Sequence, residues 1–113
     1  MGFYPRRAAL IRIRRSIRSS FETVDLLVTP TTPIPPPTIL ESRRSLLPPI
    51  RNTGRFNVYG LPAISVPCGF TPSGLPIGLQ LIGAPWAEGT VLAVAHAYEQ
   101  VAGWGRRRPP LGR

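Results

Sequence analysis

The stretch Gly60–Gly83, GLPAISVPCGFTPSGLPIGLQLIG, decides the fold. Two apolar runs, Ala63–Val66 and Ile77–Ile82, flank the segment Thr71-Pro72-Ser73-Gly74. Proline at the second turn position presets φ, and glycine at the fourth accepts a left-handed conformation. The segment therefore predicts a bulged antiparallel β-hairpin. Pro62, Pro67 and Pro76 are expected at strand ends, where no ladder N–H is required.

Working outward, Arg6–Glu22 predicts a helix, because Leu10, Ile13, Ile17 and Phe21 recur at three- and four-residue steps with arginines on the other faces. Val24–Val28 is short and apolar, which predicts a buried strand. Thr29–Thr38 is proline-rich and must be extended or polyproline-like. Ile39–Gly54 carries too little pattern to define more than a loop or a short helix. After the hairpin, Glu88–Val101 predicts an amphipathic helix with Val91, Val94, Ala95 and Tyr98 on one face and Glu88 favourably placed near its N-terminus. Gly103 and Gly105 should stop it. This divides the chain into a folded part, 6–102, and a basic tail, 103–113, expected to be disordered.

The net charge is +9, from 14 basic residues, and all of these are arginine. They cluster in Arg6–Arg18 and Arg106–Arg113. A nucleic-acid binder would array such residues along one face and interleave aromatics for stacking. The first cluster instead lies opposite an apolar stripe, which reads as a solvated helix face and makes nucleic acid an unfavoured partner. The first 21 residues carry no acid and overlap a mitochondrial transit peptide in composition. No run approaches the roughly 18 apolar residues of a membrane span, so no membrane partner is expected and a cytoplasmic location is the default. One cysteine excludes an internal disulfide, consistent with a reducing compartment.

Four pieces in order resemble one family. Phe21-Glu22-Thr23-Val24-Asp25-Leu26-Leu27-Val28-Thr29-Pro30-Thr31-Thr32-Pro33 looks like a strand ending in a TPTTP-type loop. Asn52-Thr53 and Phe56-Asn57 precede the hairpin. Gly83-Ala84-Pro85-Trp86-Ala87-Glu88 leads into the last helix. Together, over Ile13 to Gln100, they resemble the C-terminal part of the amidase signature family, which includes the amidase component of glutamyl-tRNA amidotransferase. The resemblance implies an α/β fold, here a fragment of a mixed β-sheet flanked by helices, and a parent that hydrolyses carbon–nitrogen bonds of a small-molecule amide. A separate N-terminal amidase segment is then a candidate complementing partner.

The family's Ser–cis-Ser–Lys triad cannot be carried onto this chain. A base must be able to become neutral, which lysine can do and arginine cannot. The sequence contains no lysine and no Gly-Gly-Ser-Ser run. No catalytic residue is therefore expected here, and the chain alone should be inactive. The alternative is a non-catalytic basic module binding RNA or a protein partner.

Cys68 and the single histidine, His96, lack a partner fixed by sequence; packing is the reading for Cys68, together with Ser65, and a helix-surface position for His96. One histidine, one cysteine and five scattered carboxylates make no metal-ligand cluster, and no cofactor or metal is expected. By resemblance, the segment before the hairpin lies near the substrate cavity. Thr53 and Asn57 could hydrogen-bond an amide and Phe56 could wall a pocket, while Asn57 could equally turn the chain before Gly60. Where the amidotransferase has an acidic residue for glutamine, this chain has Ile50 followed by Arg51, which favours a general amidase parent.

Overall fold

The computed structural model describes residues 3–44 and 47–109. Its elements are α1 (Phe3–Ser16), a 3₁₀ turn (Ile17–Phe21), β1 (Leu26–Pro30), α2 (Ile39–Ser42), α3 (Leu47–Tyr59), β2 (Ala63–Phe70), β3 (Pro76–Gly83), α4 (Glu88–Ala102) and a last 3₁₀ turn (Trp104–Arg106). The strands form one sheet in the order β1-β3-β2, antiparallel throughout the described residues.

The predicted hairpin is present. Gly74 N donates to Thr71 O at 2.9 Å and Gly74 has φ +86, the left-handed value the turn requires. Thr71 Oγ1 accepts from Leu75 N at 3.0 Å and closes the loop. Pro67, expected at a strand end, lies inside β2, paired with Gly78 just before a bulge at Cys68. It is tolerated because β2 is an edge strand. Gly83 N donates to Pro62 O at 2.9 Å, and alternation along the register then directs the Pro67 nitrogen away from β3.

β1 starts and ends two residues later than predicted, because pairing with β3, from Leu26↔Gly83 to Pro30↔Leu79, sets its limits. The first helix tightens at Ile17 instead of running on to Glu22. Ser16 Oγ donates to Ile13 O at 2.9 Å and Ser19 Oγ to Ser16 O at 2.8 Å, local bonds that compete with regular α-helix. Of its apolar stripe, Leu10, Ile17 and Phe21 are half-buried and Ile13 is exposed.

The segment 39–54 is largely helical. Thr38 and Glu41 form a capping box that starts α2. In α3, Pro48 and Pro49 occupy the first turn, where a missing N–H costs nothing. The helix then runs through Gly54 to Tyr59.

The core sits between α4 and one sheet face: Val66, Leu81 and Ala95 are buried, with Ile64, Leu79 and Tyr98 packed around them. Val91 is also buried, over Gly83; a Cβ there would lie 2.6 Å from Val91 Cγ2, so only glycine admits this approach. Val94, predicted on the same face, lies at its margin and is exposed. Gly103 stops α4 as expected, with φ +67 and its N donating to Glu99 O at 3.1 Å. Beyond Gly103 the chain forms the short 3₁₀ turn Trp104–Arg106. Trp104 packs against Phe70 at 6.1 Å between centroids and the Arg107 guanidinium lies 4.9 Å over the Phe70 ring. The end of the tail, 110–113, lies outside the described residues.

Candidate functional site

Thr53, Phe56 and Asn57 stand on α3 at i, i+3 and i+4, so the helical repeat places all three on one face. Thr53 is half-buried and its Oγ1 donates to Ile50 O at 3.3 Å. Phe56, also half-buried, meets Tyr59 edge-on, with centroids 6.2 Å apart and planes at 80°. Asn57 is exposed. Its backbone carbonyl accepts from Gly60 N at 3.1 Å while Phe56 O accepts from Leu61 N at 3.2 Å, with Gly60 at φ +70. That pattern is a Schellman stop. Asn57 thus ends the helix through its main chain, and its side chain stays available on the surface.

Two tethers position α3. Asn52 Nδ2 donates to Pro30 O at 2.8 Å, joining the helix to the end of β1. Arg14 Nε donates to Val58 O at 3.0 Å, joining it to α1. The foot of α3 opens on a cleft of about 260 Å³ lined by Arg14, Arg18, Tyr59, Gly60, Trp86 and Glu88, among others. Trp86 is 89% exposed and holds φ +68, unusual for a residue with a side chain. A smaller cleft of about 160 Å³ lies between Thr32–Pro35 and the turn end of the hairpin. Thr53, Phe56 and Asn57 line neither of these two clefts.

The sheet carries a polar row that no single segment of the sequence reveals. Thr31 Oγ1 and Ser65 Oγ are hydrogen-bonded at 2.5 Å, and Gln80 Nε2 donates to Thr29 Oγ1 at 3.1 Å. These residues alternate along three adjacent strands and share the face opposite α4. Ser65, expected to pack, is exposed on this row, whereas Gln80 is buried. The period-two spacing of Thr29 with Thr31 and of Gly78 with Gln80 is the signal the sequence offers for it. Cys68 is half-buried at the bulge and His96 is exposed on α4. Among the described residues, no three metal-ligating side chains gather, and no helix is long and apolar enough to cross a membrane.

Residues 3–92 match the amidase family. The chain is 48% identical over 106 residues to a fatty acid amide hydrolase of Medicago truncatula, covering 87% of this chain and 18% of that protein. It is 47% identical over 102 residues to a glutamyl-tRNA(Gln) amidotransferase subunit of Synechococcus sp. (strain JA-2-3B'a(2-13)), covering 88% and 20%. The solved structure of 6-aminohexanoate cyclic dimer hydrolase superposes with a TM-score of 0.80 at 32% identity, over 89% of this chain and 24% of that one. The glutamyl-tRNA(Gln) amidotransferase subunit of Thermotoga maritima does so at 0.67 and 35%, over 88% and 22%. The chain spans about a fifth of the length of the curated relatives it matches. On the strength of this match and of the shared α/β architecture, the chain belongs to the amidase family.

Proposed function

We propose that these 113 residues form part of an enzyme that hydrolyses amide carbon–nitrogen bonds, and that they supply scaffold and one wall of the substrate cavity. Thr53, Phe56 and Asn57 form that wall: the ring of Phe56 bounds the amide's apolar part, and the Asn57 amide and Thr53 hydroxyl offer hydrogen bonds to its polar part. The nucleophile and the base come from polypeptide outside this stretch, because no side chain here can act as a neutral amine base. In the assembled enzyme a serine is acylated, an amine leaves and water hydrolyses the ester. A reducing, cytoplasmic setting suits the single free thiol. The observation that supports the reading best is the convergence of Thr53, Phe56 and Asn57 on one helix face within a chain of this family.

The test uses two proteins. The chain itself, assayed on simple aryl and aliphatic amides, is expected to show no turnover above buffer. A chimera in which residues 3–92 replace the matching stretch of the Medicago truncatula fatty acid amide hydrolase is expected to hydrolyse a fatty acid amide. Phe56→Ala and Asn57→Ala should each lower its kcat/KM at least tenfold, about 1.4 kcal/mol or more of transition-state stabilisation. Turnover by the isolated chain that Ser65→Ala or Cys68→Ala abolishes would overturn the assignment.

A further inference from the structure

The cleft at the foot of α3 gathers charges of both signs beside two aromatic rings. Arg14 and Arg18 bring guanidinium groups, Tyr59 and Trp86 the rings, and Glu88 a carboxylate. Arg14 is already held in place. Its Nε donates to Val58 O at 3.0 Å, and its guanidinium lies 3.7 Å from where a Cβ on Gly60 would stand. Arginine carries five N–H donors, so that one bond leaves four for a ligand. Arg18, Trp86 and Glu88 make no side-chain hydrogen bond among the described residues, and no ion pair joins Glu88 to either arginine.

Trp86 adds a separate argument. Its φ of +68 is a conformation that costs a residue with a side chain, and packing does not offset the cost, since the indole is 89% exposed. Backbone strain that the fold itself does not reward gathers at ligand sites. Here it presents a bare ring at the mouth of a charged cleft.

The charges select what fits. A phosphate or a nucleic-acid backbone would meet the two guanidinium groups, but Glu88 would repel it. A simple ammonium would suit Glu88 and be repelled by the arginines. A small molecule carrying a carboxylate and an ammonium satisfies both, because the planar fork of arginine matches a carboxylate and an ammonium is drawn to Glu88 and to an aromatic face. Size agrees: at about 260 Å³ the cleft lies below the roughly 300–1,000 Å³ of drug-sized sites.

We propose that this cleft binds a free amino acid or a similar small zwitterion. Its carboxylate lies on Arg14 and Arg18, its ammonium on Glu88, and its apolar side chain against Trp86. This goes beyond the amide-hydrolysis reading and does not rest on it; Thr53, Phe56 and Asn57 do not line the cleft.

The test is a titration of the chain with phenylalanine, followed by NMR at the two indole N–H signals. The Trp86 signal should move to saturation and the Trp104 signal should stay. N-acetylphenylalanine lacks the ammonium and phenylalaninamide the carboxylate, and each should bind at least about fivefold more weakly. Arg18→Gln should weaken phenylalanine by a similar factor, with Arg108→Gln, an equal loss of charge, without effect. Glu88→Gln should weaken phenylalanine without weakening N-acetylphenylalanine. An unmoved Trp86 signal, or N-acetylphenylalanine bound as tightly as phenylalanine, would overturn the proposal on the unaltered chain. Equal weakening by Arg18→Gln and Arg108→Gln would do so too, by assigning the effect to general charge.

Discussion

Thr31 and Ser65, 34 residues apart, join their hydroxyls across the middle strand, directly above the bare Cα of Gly78. A Cβ on Gly78 would sit 2.7 Å from both hydroxyl oxygens and 3.1 Å from Thr31 Cβ. Glycine here makes room for a cross-strand polar pair; its φ is ordinary and no left-handed turn is involved. Gly78→Ala must therefore break the pair or shift a strand, and overpacking of this kind costs about 1–3 kcal/mol. Gly54, inside α3, has nothing within 4 Å of its Cβ position. Gly54→Ala should stabilise by up to about 1 kcal/mol, since alanine is the better helix former. Urea unfolding of the two variants is expected to give opposite signs; the same sign for both would contradict the packing at Gly78.

Asn52→Ala removes the donor to Pro30 O and leaves an outward strand carbonyl without its side-chain partner. A loss of about 1 kcal/mol is expected for one such bond. Because the bond fixes α3 to β1, the consequence should extend to the helix face that carries Thr53, Phe56 and Asn57. Amide shifts of those three residues should move in Asn52→Ala and remain in place in Ile50→Ala, whose side chain is 51% exposed. Unmoved shifts in Asn52→Ala would show that the helix is positioned by something else.

The parts legible in the sequence are those encoded by neighbours. The Thr71–Gly74 turn, the Gly103 stop and the α4 face at Val91 and Ala95 each depend on residues within one turn of one another. α3 is not legible, because Pro48-Pro49 and Gly54 read as breakers when the chain is taken residue by residue. Their tolerance depends on position: the prolines fall in the first turn, and the glycine lies between two tethers, Asn52 to Pro30 and Arg14 to Val58. The Thr31–Ser65 pair cannot be read either, since it requires the register of three strands at once. Thr53, Phe56 and Asn57 are singled out by resemblance, and only the helix reveals that they share a face.

Trp86 holds its left-handed backbone at the third position of the turn Ala84–Ala87, closed by Ala87 N donating to Ala84 O at 3.0 Å. With Pro85 before it, this is the geometry in which glycine is preferred at Trp86's position. A side chain there costs about 1–2 kcal/mol, and an indole that is 89% exposed recovers little of it through burial. Trp86→Gly is expected to raise the unfolding free energy by roughly 1 kcal/mol. A decrease on urea unfolding would mean that the indole contributes more at the cleft than its exposure implies.

Glu41 lies below the usual carboxylate range because it accepts from Thr38 N at 2.9 Å and, secondarily, from Thr38 Oγ1 at 2.8 Å. A carboxyl lowered on folding stabilises the folded state above its unfolded pKa, near the ordinary 4.5, and that contribution is lost as pH falls through the lowered value. The start of α2 should therefore fray at acid pH and hold at neutral pH. Titration of the Glu41 side-chain carbon by NMR should give a midpoint below that in the urea-unfolded chain. Thr38→Val should bring it part of the way back, since the backbone donor remains. A midpoint equal to the unfolded one would exclude the capping box in solution.

The tail offers the sharpest separation of charge from packing. Arg107 lies over the Phe70 ring, and Trp104 meets the same ring from the last 3₁₀ turn. Phe70 ends β2, so the contact pins the chain after α4 back onto the hairpin. An arginine over an aromatic ring near the surface contributes about 0.5–1 kcal/mol, and a lysine keeps the charge but lacks the planar group that stacks. Arg107→Ala and Arg107→Lys should both loosen the Trp104 turn, the lysine less so, with Arg108→Ala without effect. Trp104 fluorescence and its quenching by iodide report the change. If Arg107→Ala and Arg108→Ala are equivalent, the tail is held by general charge rather than by the ring beneath Arg107.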